Sequence, residues 1–96
     1  MQFIFDPIKD ELNVRKHGIS FDQASVVFNH PKKITLTSVR EGEDRLVAIT
    51  LVEIHGVVLV LVYVMRGEDT VRPISLRRAS RVERTLYANS IEFDKS

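Results

Sequence analysis

The chain has 96 residues, 44% of them hydrophobic and 28% charged, with a formal net charge of +1 and no cysteine. This balance predicts one folded domain over residues 1–96 and excludes a disordered chain, a disulfide scaffold and thiolate catalysis. The longest apolar run, residues 57–65, is about half the roughly 18 residues of a membrane span, and no leader peptide is visible, so we expect a cytoplasmic protein without membrane contact.

The first elements that the sequence predicts are a strand and a helix. Residues 2–5 read as a short strand, and the pair Asp6-Pro7 stops it. Asp6 can accept hydrogen bonds from free helical N–H groups, and proline suits the first helical position. We expect the helix to run over residues 7–16 and to end at Gly18, which can adopt a left-handed conformation.

A second helix is predicted directly after the first. Ser20 and Gln23 have the spacing of a capping box. Apolar residues then recur at helical spacing, namely Phe21, Ala24, Val27 and Phe28. Because this helix offers few polar side chains that could read DNA bases, we disfavour an autonomous sequence-specific DNA-binding protein.

The middle of the chain changes to strand patterns. The predicted strands cover residues 32–37, 45–54, 57–65 and 70–76. His55-Gly56 is typical of a tight hairpin turn between the two central strands. Pro73 cannot donate to a sheet hydrogen bond, so the last strand should lie at an edge or contain a bulge.

The last predicted element is a helix over residues 81–91, which begins at a capping box formed by Ser80 and Glu83. We expect Val82 and Leu86 to face the core. The resulting order, β-α-α-β-β-β-β-α, predicts an α+β fold with a mainly antiparallel sheet packed by helices.

Charge is unevenly distributed along the chain. Residues 66–84 contain six arginines against three acidic residues. No paired metal-ligand motif, phosphate-binding loop or nucleophile motif is present. These residue types favour phosphodiester chemistry without a metal or other cofactor, because fixed guanidinium groups can bind phosphate and RNA carries its own nucleophile, the 2′-OH.

Several side chains are candidates for that chemistry. His17 or Glu43 could transfer protons near neutral pH. Arg66 and Arg77 stand at strand ends, where they could converge on one phosphate with help from Arg45. The structural alternatives remain open: Lys16-His17 can simply complement the negative end of a helix, and Glu43 and Arg45 can be a solvated surface.

The same residues match a known family in order and spacing. The matching segments are Phe5-Asp6-Pro7-x-Lys9, Asn13 to Ile19, Ala24 to Phe28, Glu43-x-Arg45, Val62-Tyr63 with Arg66, Arg72 to Arg77, and Glu83 to Tyr87. Through these motifs the chain resembles the BrnT-type toxins, which have a RelE-like fold. The resemblance implies a ribonuclease that inhibits translation and is neutralised by a BrnA-like ribbon-helix-helix antitoxin, with DNA bound only through the antitoxin complex.

From the motifs and the basic region together, we expect two groups of site residues. The catalytic group is His17, Glu43, Arg66 and Arg77, and the RNA-binding group is Lys16, Arg45, Arg72 and Arg78. The alternative function is a degenerate, non-catalytic module that only binds an antitoxin and contributes to transcriptional regulation. Pro73 and Leu76 depart from the family pattern, and we expect them to distort the strand that carries Arg72 and Arg77.

Overall fold

A computed structural model describes residues 1–39 and 46–94 of the chain. The elements are β1 (Gln2–Phe3), α1 (Pro7–His17), a 3-10 turn (Phe21–Gln23), α2 (Ala24–Phe28), β2 (Ile34–Val39), β3 (Leu46–Ile54), β4 (Val57–Arg66), β5 (Thr70–Arg78) and α3 (Arg81–Asp94). In these two ranges no helix is long and apolar enough to cross a membrane.

The described strands form one sheet in the order β1-β5-β4-β3-β2. β2 through β5 pair antiparallel, and the short β1 pairs parallel with the start of β5. The β3–β4 hairpin closes through His55 and Gly56, whose φ angles of 51° and 79° are both positive, as a tight two-residue turn requires. The predicted α+β class with a mainly antiparallel sheet is confirmed; the RelE-like label stays a prediction.

The first helix begins and ends at the capping residues that the sequence predicts. The side chain of Asp6 accepts a hydrogen bond from the N–H of Ile8 at 2.8 Å, and Gly18 ends the helix with a φ of 74°. The second helical segment has the predicted cap, because the Ser20 hydroxyl accepts a hydrogen bond from the Asp22 N–H at 3.1 Å, but its start is not a regular α-helix. It opens as a 3-10 turn, and Asp10 of α1 accepts a hydrogen bond from the N–H of Phe21 at 2.7 Å.

The core has two parts, one on each side of the sheet. On one side α2 and the 3-10 turn pack on the sheet, and the buried residues there are Phe21, Ala24, Val27, Val52, Leu61, Tyr63, Val71 and Leu76. On the other side α3 covers a smaller cluster, consisting of Leu51, Val58, Val60, Ala79 and Tyr87. The stripe predicted for α2 therefore faces the core.

The prediction that Val82 and Leu86 face the core is wrong. Val82 is 78% exposed and Leu86 is 41% exposed, whereas Tyr87 is 7% exposed. Tyr87 also donates a hydrogen bond to the carbonyl of Lys32 at 3.0 Å, which fixes the direction in which α3 docks. Helical spacing alone did not define which side of the helix meets the sheet.

β5 contains the bulge that Pro73 predicts. Tyr63 pairs with Pro73 but Val62 pairs with Ser75, so Ile74 is the extra residue. The strand nevertheless continues to Arg78. The expected distortion is therefore confined to this bulge.

Candidate functional site

The candidate site lies where α1 meets β5, and Asn13 joins the two elements. The Asn13 amide group donates hydrogen bonds to the carbonyls of Ile19, at 2.8 Å, and Leu76, at 2.9 Å. Its side-chain oxygen accepts a hydrogen bond from the Leu76 N–H at 3.2 Å. β1 pairs only with Thr70 and Val71, at the start of β5. Further along β5, the Asn13 side chain takes the place of a neighbouring strand by bonding to both backbone groups of Leu76. This contact holds the last turn of α1 beside the bulge.

An open cleft of about 370 Å³ lies between these elements. It is lined by Lys9, Leu12, Asn13, Lys16, His17, Arg72, Pro73, Ile74 and Ser75. We call it the cationic cleft. The structure therefore brings Lys16 and His17, from the helix end, together with Arg72, from the distant strand.

The cations of this cleft are available for a ligand. Neither Lys16 nor Arg72 forms an ion pair with any carboxylate of the described ranges. The two acidic residues of the α1 body are engaged elsewhere. Asp10 binds the Ser20 hydroxyl and the Phe21 N–H, and Glu11 pairs with Arg15 at 2.6 Å. The cleft is therefore an uncompensated positive surface that suits a polyanion.

Arg66 lies at the edge of the same region. Val64 pairs with Arg72 and Arg66 pairs with Thr70, so the two arginines occupy neighbouring strands on one face of the sheet. Such diagonal neighbours have backbones roughly 7–8 Å apart. Arg66 can therefore extend the positive surface of the cleft.

Arg77 is at the opposite end of β5 and is bound by α3. Its guanidinium group donates two hydrogen bonds to Glu83, at 2.7 and 2.9 Å. Glu83 and Ser80 also form both hydrogen bonds of the predicted capping box. The hydrogen bond with Arg77 lowers the pKa of Glu83 to about 2, and the same bond raises the pKa of Arg77 above its ordinary value.

The positions of Arg66 and Arg77 at strand ends suggested that the two side chains converge, but the structure places them apart. Arg77 pairs with Val60, and Arg66 is six residues further along β4, a distance of about 20 Å in a strand. One phosphate is too small to contact both guanidinium groups across that span.

The remaining predicted residues lie apart from the cleft. Arg78 is exposed and lines a separate groove together with Val26 and Val57. Glu43 and Arg45 lie outside the described residues. Three polar residues of the cleft, Lys9, Asn13 and Ser75, were not selected from their chemistry, although all three stand within family motifs.

A second hollow, between α3 and the β3–β4 hairpin, is slightly larger at about 420 Å³. It is lined by Arg84 and Glu53 together with apolar residues such as Tyr87 and Ile91. Because its one cation is matched by one carboxylate, it suits a polyanion less well than the cationic cleft. No group of three histidine, aspartate or glutamate side chains in the described ranges could hold a metal ion.

Comparison with known proteins defines the class to which this fold and cleft belong. Residues 5–83 match the family model described as ribonuclease toxin, BrnT, of type II toxin-antitoxin systems. The chain belongs to this BrnT family. A comparison with curated proteins found no match.

A solved structure agrees with the family assignment. The chain is similar to the crystal structure of the Brucella abortus ribonuclease toxin BrnT, with 25% sequence identity and a TM-score of 0.56. The similarity covers 84% of this chain and 100% of the Brucella chain.

Proposed function

We propose that this toxin is a metal-independent endoribonuclease that cleaves RNA in the cationic cleft and thereby inhibits translation in the cytoplasm. One observation carries the proposal: Lys16 and His17 line a single cleft with Arg72, which is far from them in sequence. The cleft combines groups that bind phosphate with a group that can transfer protons. Family membership supplies the expectation of RNA as substrate.

The mechanism follows from the chemistry of RNA. The 2′ oxygen attacks the adjacent phosphorus, the bond from phosphorus to the 5′ oxygen breaks, and a 2′,3′-cyclic phosphate and a 5′-hydroxyl result. His17 takes the proton from the 2′-OH or delivers one to the leaving oxygen. Arg72 and Lys16 neutralise the charge that develops on the phosphorane, and Arg66 binds the neighbouring backbone. Glu43 is the second candidate for proton transfer and Arg45 a further candidate for RNA binding, and both lie outside the described residues.

Arg77 and Arg78 have different roles under this proposal. Arg77 is already paired with Glu83 and lies far from the cleft along β5, so we assign it to RNA bound beyond the cleft. Arg78 contacts a flanking strand of RNA rather than the scissile phosphate, because it is exposed in another groove.

The test is RNA cleavage by the purified toxin in two assays, one with free RNA in EDTA and one with translating ribosomes in the magnesium buffer that they require. We expect fragments with 2′,3′-cyclic phosphate and 5′-hydroxyl ends. Intact RNA in both assays, or cleavage of free RNA only after a divalent metal is added, would contradict the proposal.

The proposed partner is a BrnA-like ribbon-helix-helix antitoxin, and we propose that DNA is bound only through the antitoxin complex. That a type II toxin has an antitoxin follows from the family. Co-purification with the product of the neighbouring reading frame, followed by a gel-shift assay of each protein alone, tests both statements.

A second candidate function is a non-catalytic module that retains only antitoxin binding. The bond between Arg77 and Glu83 favours this alternative, because Arg77 was expected to be catalytic and is instead paired with a carboxylate. This alternative predicts that cells tolerate the toxin without its antitoxin. Growth arrest that disappears in a folded His17→Ala variant would exclude it.

A further inference from the structure

The cationic cleft contains exposed apolar side chains as well as cations. Leu12 and Ile74 both line it, and they are 57% and 44% exposed. We call these two residues the apolar pair. A phosphate backbone gains little from apolar contacts, because its outer surface is charged. The part of an RNA chain that does gain from them is the flat face of a base.

The apolar pair belongs to opposite walls of the cleft. On the α1 wall, Leu12 lies between Lys9 and Lys16, each about one helical turn away and each also lining the cleft. On the β5 wall, Ile74 is the extra residue of the bulge, and a bulge re-aims the side chains of its strand. Arg72 lines the cleft two positions before Ile74. Each wall therefore presents one apolar side chain among cations.

A free hydroxyl group lies next to the apolar pair. Ser75 follows Ile74 in the chain, lines the cleft and is half-buried. Its hydroxyl forms no hydrogen bond with the residues that the structure describes. A serine hydroxyl can both donate and accept a hydrogen bond. It can therefore meet the polar edge of a base whose faces contact the apolar pair.

The size and pattern of the cleft select the kind of ligand. Its volume of about 370 Å³ lies within the roughly 300–1,000 Å³ of sites that enclose a small ligand. A polyanion without bases would satisfy the cations and leave the apolar pair in water. A nucleotide joins a charged phosphate to an apolar base face, so it matches both parts of the surface.

We propose that the apolar pair holds one base beside the scissile phosphate, outside the stack of its neighbours. This inference rests on the proposed function, because the cations of the same cleft bind that phosphate. A base inside a duplex is paired and stacked and cannot enter the cleft. The substrate is therefore single-stranded RNA or an unpaired loop.

The test uses DNA oligonucleotides with a single ribonucleotide, so that only one linkage carries a 2′-OH and can be cleaved. The complete substrate is made with each of the four bases on both sides of that linkage, and the best-cleaved version is the reference. Two further substrates lack the base on the 5′ side or on the 3′ side of the linkage.

The wild type should cleave at least one base-lacking substrate with a kcat/KM about tenfold lower than that of the reference. Burial of roughly 60 Å² of apolar surface supplies such a difference. Annealing a complementary strand to the reference should slow its cleavage by at least the same factor.

Two matched variants locate the base. Leu12→Ser/Ile74→Ser removes the apolar pair, and Val82→Ser/Leu86→Ser changes two similarly exposed residues of α3, which does not line the cleft. Both variants should keep the melting temperature of the wild type within a few degrees, because the substituted side chains are exposed. The first should cleave the reference and the base-lacking substrates within about twofold of each other. The α3 variant should keep the wild-type ratio.

Four results would overturn the inference. They are equal cleavage of all single-stranded substrates by the wild type, an unchanged ratio in the variant of the apolar pair, a lost ratio in the α3 variant, and a duplex cleaved as fast as the single strand.

The affinity for all-deoxy versions of the same oligonucleotides separates this inference from the proposed function. If no substrate is cleaved but the complete version binds about tenfold more tightly, and that preference requires the apolar pair, the proposed cleavage fails and the base site stands. Equal affinities for the complete and base-lacking versions would overturn the base site, whether or not RNA is cleaved.

Discussion

At the scale of single residues, Asn13 is the side chain on which the cleft depends. It is 7% exposed and bonds to both backbone groups of Leu76. A buried N–H or carbonyl group without a partner costs about 1–3 kcal/mol. Asn13 is therefore both a structural residue and a positioning residue for the last turn of α1.

Asn13→Ala should lower the free energy of unfolding by about 2–3 kcal/mol, because it leaves backbone groups of Leu76 and Ile19 unpaired. Urea denaturation measures this loss. Glu11→Ala, which removes the exposed ion pair with Arg15, is the control and should cost below about 1 kcal/mol. Equal losses in the two variants would contradict the assignment.

A second readout separates positioning from stability. Val27→Ala destabilises the core beneath α2, away from the cleft, and its cleavage rate per folded molecule should match the wild type. The rate per folded molecule should fall about tenfold or more in Asn13→Ala, because a small displacement of catalytic groups has large effects. Equal rates in both variants would assign Asn13 to stability alone.

Glu83 gives a pH dependence with a definite sign. Its pKa is lowered to about 2 in the folded protein, so its contribution to stability is present above the unfolded pKa near 4.5 and is lost as the pH falls toward 2. Allowing for partial exposure, we expect about 1 kcal/mol from this group. Glu83→Gln should remove that part of the acid destabilisation in chemical denaturation at pH 6 and at pH 3. The prediction would be contradicted if the free energy of unfolding fell between pH 6 and pH 3 by the same amount in Glu83→Gln as in the wild type.

At the scale of elements, the helix caps and the hairpin turn were predictable from the sequence. Asp6-Pro7, Gly18 and the His55-Gly56 turn are fixed by local backbone chemistry, and the structure confirms each of them. The inward side of α3 was not predictable, because the docking of Tyr87 on the sheet decides it. The bulge at Pro73 was predicted as one of two options.

Substitution of Gly18 tests directly what ends α1. A Cβ at this position would meet no atom within 4 Å, but the φ of 74° is unfavourable for a side chain. Gly18→Ala should therefore lower the free energy of unfolding by about 1 kcal/mol, and Gly18→Asn should cost less. Thermal and urea denaturation measure both variants. A neutral Gly18→Ala would show that the helix end relaxes.

At the scale of the whole molecule, the candidate site is assembled by tertiary contacts. Lys16 and His17 were selected from a helix end and Arg72 from a motif, yet their shared cleft depends on Asn13 bonding to β5. Sequence spacing does not contain that contact. Arg66 and Arg77 were grouped because both stand at strand ends, but the structure places them far apart along the β4–β5 hairpin.

The positive surface of the cleft predicts the salt dependence of RNA binding. Each phosphate contact with single-stranded RNA adds about 0.7 to the slope of log affinity against log salt concentration. Lys16→Gln should reduce the slope by about that amount in a titration with a non-cleavable 2′-deoxy oligonucleotide. Arg15→Gln removes one charge from the other side of α1 and should leave the slope unchanged. A reduced slope in Arg15→Gln and an unchanged slope in Lys16→Gln would place the nucleic acid elsewhere.

The central claim is that the cationic cleft is where RNA is cleaved, and the most direct measurement is the cleavage rate of three variants in EDTA, together with their melting temperatures. His17→Ala and Arg72→Gln should lose about a hundredfold or more in rate with little change in melting. Arg15→Gln should cleave at the wild-type rate. Full activity in both cleft variants, or a loss of activity that only follows a loss of stability, would contradict the account.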